Sequence, residues 1–156
     1  MLNFEEIKAK SNELLAGVSR KLKQYTPENY SKEKKFVNAL VASLALMTMA
    51  DKKAETEEVI ASIDLIKEID EITELDMTTE ALELYEYHIE YLSGVVDKPT
   101  KWIIAEARIL SDIGKIKVYP EYPPMVETLV DYIANSDNNL DPLEVAMQNK
   151  IVKAMR

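Results

Sequence analysis

Between positions 39 and 50 the chain reads Ala-Leu-Val-Ala-Ser-Leu-Ala-Leu-Met-Thr-Met-Ala, a run without a single charge and with no face reserved for water. A helix that is apolar on most of its circumference has to be enclosed by other elements or by lipid. These twelve residues rise about 18 Å as a helix, well short of the ~30 Å hydrocarbon core of a bilayer, so enclosure by protein is expected. The run predicts a central helix over 32–50, capped by Ser31 and closing at Asp51, with the rest of the chain wrapped around it.

Periodicity and punctuation delimit six further helices, and no stretch alternates in the manner of a strand. The first spans 4–25 behind Asn3, with Phe4, Ile7, Leu14, Leu15, Val18 and Leu22 as its apolar positions, and ends at Thr26-Pro27. A helix over 56–70 starts behind Thr56, places Glu57 and Glu58 in its first turn and buries Val59, Ile60, Ile63, Ile66 and Ile69. The next, over 79–93, follows a capping cluster of Asp76, Thr78 and Thr79, carries Leu82, Tyr85, Ile89 and Leu92, and stops at Gly94. Asp97 is expected to cap a helix over 99–114 that has Pro99 in its first turn. Pro120, Pro123 and Pro124 break the chain before a helix over 124–135, and Asp141-Pro142-Leu143-Glu144 combines an N-cap acid, a proline at the first helical position and a capping-box Glu for the last. The fold class is therefore all-α, a single compact domain of about seven helices: residues 1–30 form a basic N-terminal helix and linker, residues 31–156 the helical domain.

Composition removes whole classes of chemistry. Without cysteine there is neither a disulfide nor a thiolate metal site, and one histidine, His88, makes no His-rich centre. Three glycines leave no phosphate loop and no glycine-flanked nucleophile, and no catalytic dyad stands out, so the chain does not read as an enzyme. The formal net charge of −9 argues against direct nucleic-acid binding. That charge is uneven: residues 1–35 sum to +3, and residues 51–90 hold fourteen acids against Lys52, Lys53 and Lys67, a net of −11. The basic side chains Arg20, Lys21, Lys23, Lys32, Lys34 and Lys35 suit anionic lipid, an acidic partner or the chain's own acidic remainder. The opening residues carry acids where a secretory signal needs bases, so a cytoplasmic protein without a transmembrane segment is expected. Of the tyrosines, Tyr85 reads as core, whereas Tyr119 and Tyr122 in the proline-rich loop suit a partner surface.

Two stretches concentrate oxygen ligands. The corner 51–58 brings together Asp51, Glu55, Glu57 and Glu58, the donor type that Ca²⁺ or Mg²⁺ takes; the same Glu57 and Glu58 also read as ordinary first-turn acids. Asp137, Asn139 and Asp141 imitate the start of a calcium loop. Pro142 then replaces its turn glycine and Gln148 its bidentate Glu, so Asp141 is read as a helix cap.

Residues 34–51, Lys-Lys-Phe-Val-Asn-Ala-Leu-Val-Ala-Ser-Leu-Ala-Leu-Met-Thr-Met-Ala-Asp, followed by Glu57-Glu58, resemble the tellurite-resistance TerB family, in which a KKF-type helix start leads through a small apolar helix to an Asp corner and paired glutamates. A looser similarity continues through Asp97-Lys98-Pro99 and Leu140-Asp141-Pro142-Leu143-Glu144. The resemblance implies a TerB-like helical bundle with a non-catalytic role in stress systems tied to tellurite, phage and colicin resistance. It also implies a divalent cation, Ca²⁺ or Mg²⁺, held by Asp51, Glu57 and Glu58, and a TerC-like membrane protein as partner, which would place the chain at the inner face of the membrane. Two departures stand out: the family's Asp-Gly is Asp51-Lys52 here, and the second corner near 114–117 reads Gly-Lys-Ile-Lys with no acid before Glu121. The charge pattern supports a competing reading, an acidic protein-interaction or inhibitor module of phage or mobile-element type that engages a basic partner without metal.

Overall fold

The apolar run forms the axis of the molecule. Helix α1 (Lys32–Thr48) starts where Ser31 Oγ accepts the Lys34 N–H at 3.2 Å, and every residue from Phe36 to Thr48 is buried. Met49 and Ala50, placed by the sequence in the helix, belong to the turn that follows it. The computed structural model describes residues 31–135 and 141–156; the predicted helix over 4–25, the basic arm 1–30 and the linker 136–139 lie outside the described residues.

After α1 come α2 (Thr56–Glu68), α3 (Asp70–Glu74), α4 (Thr78–Ser93), α5 (Pro99–Gly114), a 3-10 turn (Lys115–Val118), α6 (Pro123–Asn135) and α7 (Pro142–Ala154). The fold is all-α, as expected, and among the described residues there is no strand. The sequence missed α3: Ile69 takes an extended conformation (φ −74°, ψ 111°), which ends α2 and starts a new five-residue helix where one continuous helix to residue 70 was expected. Three predicted caps fail. Glu55, Met77 and Lys98, not Thr56, the Asp76 cluster and Asp97, occupy the cap positions of α2, α4 and α5, and none makes a side-chain cap bond. Asp141 does cap α7, its Oδ1 accepting the Leu143 N–H at 2.8 Å.

Helices α2, α4, α5, α6 and α7 all pack on α1. Around it they meet one another in the order α2, α4, α5, α7, α6. Gly114 permits one of these seams: a Cβ there would lie 2.7 Å from the Ala154 carbonyl oxygen, so only glycine lets the end of α5 approach α7. Between α6 and α2 the described helices are least in contact. Two depressions open along that seam, one at each end of α1. The proline-rich loop before α6 is turned inward. Tyr122 stacks on Phe36 with ring centroids 4.2 Å apart, and Lys32 lies 5.3 Å above the rings of both Tyr119 and Tyr122 while its Nζ bonds Glu121 at 2.6 Å. The two tyrosines expected to face a partner are thus occupied in pinning this loop to the start of α1.

Polar residues in α1 fix its rotation and register, because a buried polar group is costly without a partner. Asn38 Oδ1 accepts from His88 Nε2 of α4 at 2.8 Å, and both side chains are buried. That bond makes Nε2 the protonated nitrogen of a neutral ring, and Nδ1 has no hydrogen-bond partner. A second proton would sit on buried Nδ1 with no acceptor, and burial pushes His88 down from 6.5 to about 4. Above pH 6.5 neither folded nor unfolded chain holds the second proton. Between 6.5 and about 4 only the unfolded chain does, so stability falls with pH over that window and levels off below it. Urea unfolding at pH 7 and pH 5 is expected to show a loss of about 2 kcal/mol from this group. The loss should be absent from the corresponding difference in His88→Gln; equal losses in both proteins would contradict the assignment.

Candidate functional site

The acidic corner is built by the antiparallel return of α2 along α1. Thr48, at the C-terminal end of α1, donates from Oγ1 to the Leu44 carbonyl at 2.9 Å, which uses its only proton. It therefore accepts from Tyr85 Oη at 3.0 Å and from Ser62 Oγ at 3.4 Å, drawing α4 and α2 onto the end of α1 through one oxygen. Burial pushes the Tyr85 phenol up to about 12, opposed by its hydrogen bonds to Ser62 and Thr48, with the charge of Glu58 adding to the rise. This hydroxyl cluster is consequently neutral at all ordinary pH values.

Above it lies a cleft of about 260 Å³. Met47, Thr48 and Ser62 form its floor, Glu55, Glu57, Glu58 and Ala61 one wall, and Ile133 of α6 with Glu144 of α7 the other. The three glutamates on the first wall occupy the cap and first turn of α2, where the helix dipole favours negative charge. Two of the three predicted metal ligands, Glu57 and Glu58, line this cleft, together with Glu55 from the same acidic loop. Asp51 is not among its lining residues; its Oδ1 accepts the Lys53 N–H at 3.0 Å, an Asx turn that shapes the corner. Glu144 is the residue that sequence reasoning did not connect to the site. It reads locally as a first-turn acid of α7, and only the packing of α6 and α7 beside α1 carries it across to α2. Among the described residues, no three His, Asp or Glu side chains converge in a group able to hold a metal ion.

The corner turns through Lys52, whose φ of 64° lies in the left-handed region. A glycine adopts that conformation freely, whereas an L side chain there costs roughly 1 kcal/mol. Lys52 is partly compensated: its Nζ stands 5.4 Å over the ring of Trp102, a buried residue of α5. At the position where the resemblance expects the second corner, residues 115–118 form the 3-10 turn, and Lys115 pairs with Asp112 at 3.6 Å. That turn shows no counterpart of the acidic cleft.

No protein-family model matches the sequence, and neither the curated proteins nor the solved structures contain a match. The meaning of the cleft therefore rests on its own chemistry: glutamates from two helices line one space, together with the hydroxyl-bearing Thr48 and Ser62 and the thioether of Met47.

The left-handed turn yields a test of the corner. Lys52→Ala and Lys52→Gly both remove the ammonium from the Trp102 face, but only glycine relieves the backbone. The Gly variant should be more stable than the Ala variant by about 1 kcal/mol in urea unfolding. The reverse order, which helical or extended backbone would produce, contradicts the left-handed conformation at 52.

Proposed function

We propose that this is a non-catalytic binding domain whose acidic cleft receives a cationic side chain of a basic protein partner. The observation that carries the reading is the placement of Glu55, Glu57 and Glu58 opposite Glu144 around one 260 Å³ cleft. Its surroundings support it. Helices α2 and α3 bear exposed Asp64, Glu68, Asp70, Glu71 and Glu74, a field that steers a basic surface toward this side of the molecule. The only histidine is buried and bonded to Asn38 in the interior, and burial keeps it neutral at pH 7. No described helix is long and apolar enough to cross a membrane.

The TerB-like reading makes a second proposal of the same corner: a stress-response domain of the tellurite-resistance type, with a divalent cation held near Asp51, Glu57 and Glu58 and coupled to docking on a TerC-like membrane protein. What favours it is that Glu57 and Glu58 do line the cleft, and that the chain turns through a left-handed residue directly after Asp51, as an Asp-Gly corner would. The cytoplasmic face of a membrane is the location this reading proposes.

Titration with a Lys/Arg-rich peptide, in chelator and at two salt concentrations, separates the two. The basic-partner reading predicts binding that weakens with salt, ignores chelator, and drops about three- to fivefold in Glu57→Gln/Glu144→Gln while remaining within about twofold in Glu68→Gln/Glu74→Gln. Equal losses in both double variants would sink the cleft as the recognition element. Binding heat with Ca²⁺ or Mg²⁺ that disappears in Asp51→Ala would establish the metal reading in its place.

A further inference from the structure

The contact that pins the proline-rich loop to α1 has the build of a receptor for a cation. The Tyr119 and Tyr122 rings meet at 61° with centroids 5.8 Å apart, and Lys32 Nζ lies 5.3 Å from both centroids and 2.6 Å from Glu121 Oε1. Two ring faces and a carboxylate thus surround one ammonium, and each attracts positive charge. The Glu121 bond holds the Lys32 ammonium above its ordinary value, and the same bond holds the Glu121 carboxyl below its own, so both groups are charged at pH 7. Burial pushes the Tyr122 phenol up, which keeps that ring neutral.

We propose that Tyr119, Glu121 and Tyr122 form a binding site for a dimethylated ammonium group, the head of a dimethyl-lysine side chain on a partner protein, and that Lys32 occupies the site as an internal stand-in that this ligand displaces. Distance selects the ligand. A methyl carbon touches a ring carbon at ~3.5–4.0 Å and its nitrogen stands ~1.5 Å behind it, so a nitrogen that meets a ring through a methyl rests about 5–5.5 Å away. Lys32 Nζ, at 5.3 Å from each ring, leaves room for one methyl toward Tyr119 and one toward Tyr122. Its bond to Glu121 uses one N–H. A nitrogen with two methyls, one N–H and one carbon chain matches that set of neighbours. An unmethylated ammonium leaves both ring faces out of direct contact, and a trimethylated one has no proton for Glu121.

The site is held by groups other than Lys32. Tyr122 stacks on buried Phe36 at 4.2 Å, and its N–H donates to the Tyr119 carbonyl at 3.1 Å. The Tyr122 carbonyl accepts the Met125 N–H at 3.0 Å at the start of α6, and the Tyr119 N–H donates to the Ile116 carbonyl at 2.9 Å. The rings are therefore preorganised for whichever cation is present. Lys32 is also a replaceable occupant. Its side chain and that of Glu121 are 43% and 50% exposed, and an exposed pair contributes little, so a competing ligand has little to overcome. A bare ammonium is strongly hydrated, whereas methyl groups shed water readily onto a ring face. The site stands at the opposite end of α1 from the acidic cleft, and neither reading depends on the other.

Titration of the full chain with the acetylated amide of dimethyl-lysine, followed by the ring protons of Tyr119 and Tyr122, tests the assignment. The ligand is expected to bind Lys32→Ala at least about threefold more tightly than the unaltered chain, because the tethered competitor is gone. In Lys32→Ala it should bind at least about threefold more tightly than its unmethylated and trimethylated counterparts. Adding Glu121→Ala should abolish the preference for the dimethylated over the trimethylated form, and adding Tyr119→Leu should weaken binding at least about fivefold. Nuclear Overhauser contacts between the ligand methyls and both tyrosine rings are expected in the unaltered chain at high ligand, independently of any substitution. No ring shift in Lys32→Ala up to about 20 mM ligand, equal affinity for the methylated and unmethylated forms, or tighter binding by the unaltered chain than by Lys32→Ala would each overturn the proposal.

Discussion

Enclosure of α1 is the constraint on which the remaining structure depends. Thirteen successive residues, Phe36 to Thr48, are removed from water, so the helix offers no face to solvent and every neighbour must be placed to cover it. Among the described residues five helices do so, and their own amphipathic stripes are satisfied in the same act. Apolar covering alone would leave α1 free to rotate or slide. Two polar residues prevent this: Asn38 is matched to His88 near one end, and Thr48 to Tyr85 and Ser62 near the other. Because a buried donor or acceptor loses far more when orphaned than it gains when paired, these bonds select one register among several that apolar packing would tolerate.

The same constraint explains where the molecule has features for function. The five described helices that cover α1 meet closely around most of it and are least in contact with one another along the α2–α6 seam. The seam inherits its chemistry from the chain running beside it. At the C-terminal end of α1 it borders the first turns of α2 and α7, where acids are favoured by the helix dipole, and it becomes the carboxylate cleft. At the N-terminal end it borders the later turns of α2 and the body of α6, where side chains chosen to pack on α1 reach the edge of the covered zone, and its lining there is apolar. One helix thus organises both ends of the seam without contributing a charge to the lining of either.

Much of this is legible in the sequence. The central helix, the all-α class and the order of the main helices follow from apolar periodicity and from strong local signals such as Ser31 and Asp141, whose caps form as read. Weaker local signals were overridden. Thr56, Asp76 and Asp97 are competent caps in isolation, but docking on α1 sets where α2, α4 and α5 begin, and the chain reaches those starts with Glu55, Met77 and Lys98 in place. Ile69 belongs to an isoleucine stripe by spacing, yet its extended backbone breaks the helix and rotates Asp70–Glu74 away from it. The candidate site was half visible. Glu55, Glu57 and Glu58 are neighbours in sequence; Glu144 joins them only through tertiary packing, and Asp51 leaves them because its carboxylate is taken by the turn it makes. Tyr119 and Tyr122 illustrate the same limit, since a tyrosine suited to a partner surface is equally suited to the cation–π and stacking contacts it finds with Lys32 and Phe36.

If α1 is the element that five of the described helices cover, it cannot open by itself. Native-state hydrogen exchange of the full chain measures this directly. Amides 40–48 should exchange only through global unfolding, with opening free energies equal to that from urea unfolding and above those of every amide in α3 and α7. Exchange of the α1 amides through a smaller, sub-global opening, at free energies matching those of α7, would contradict the account.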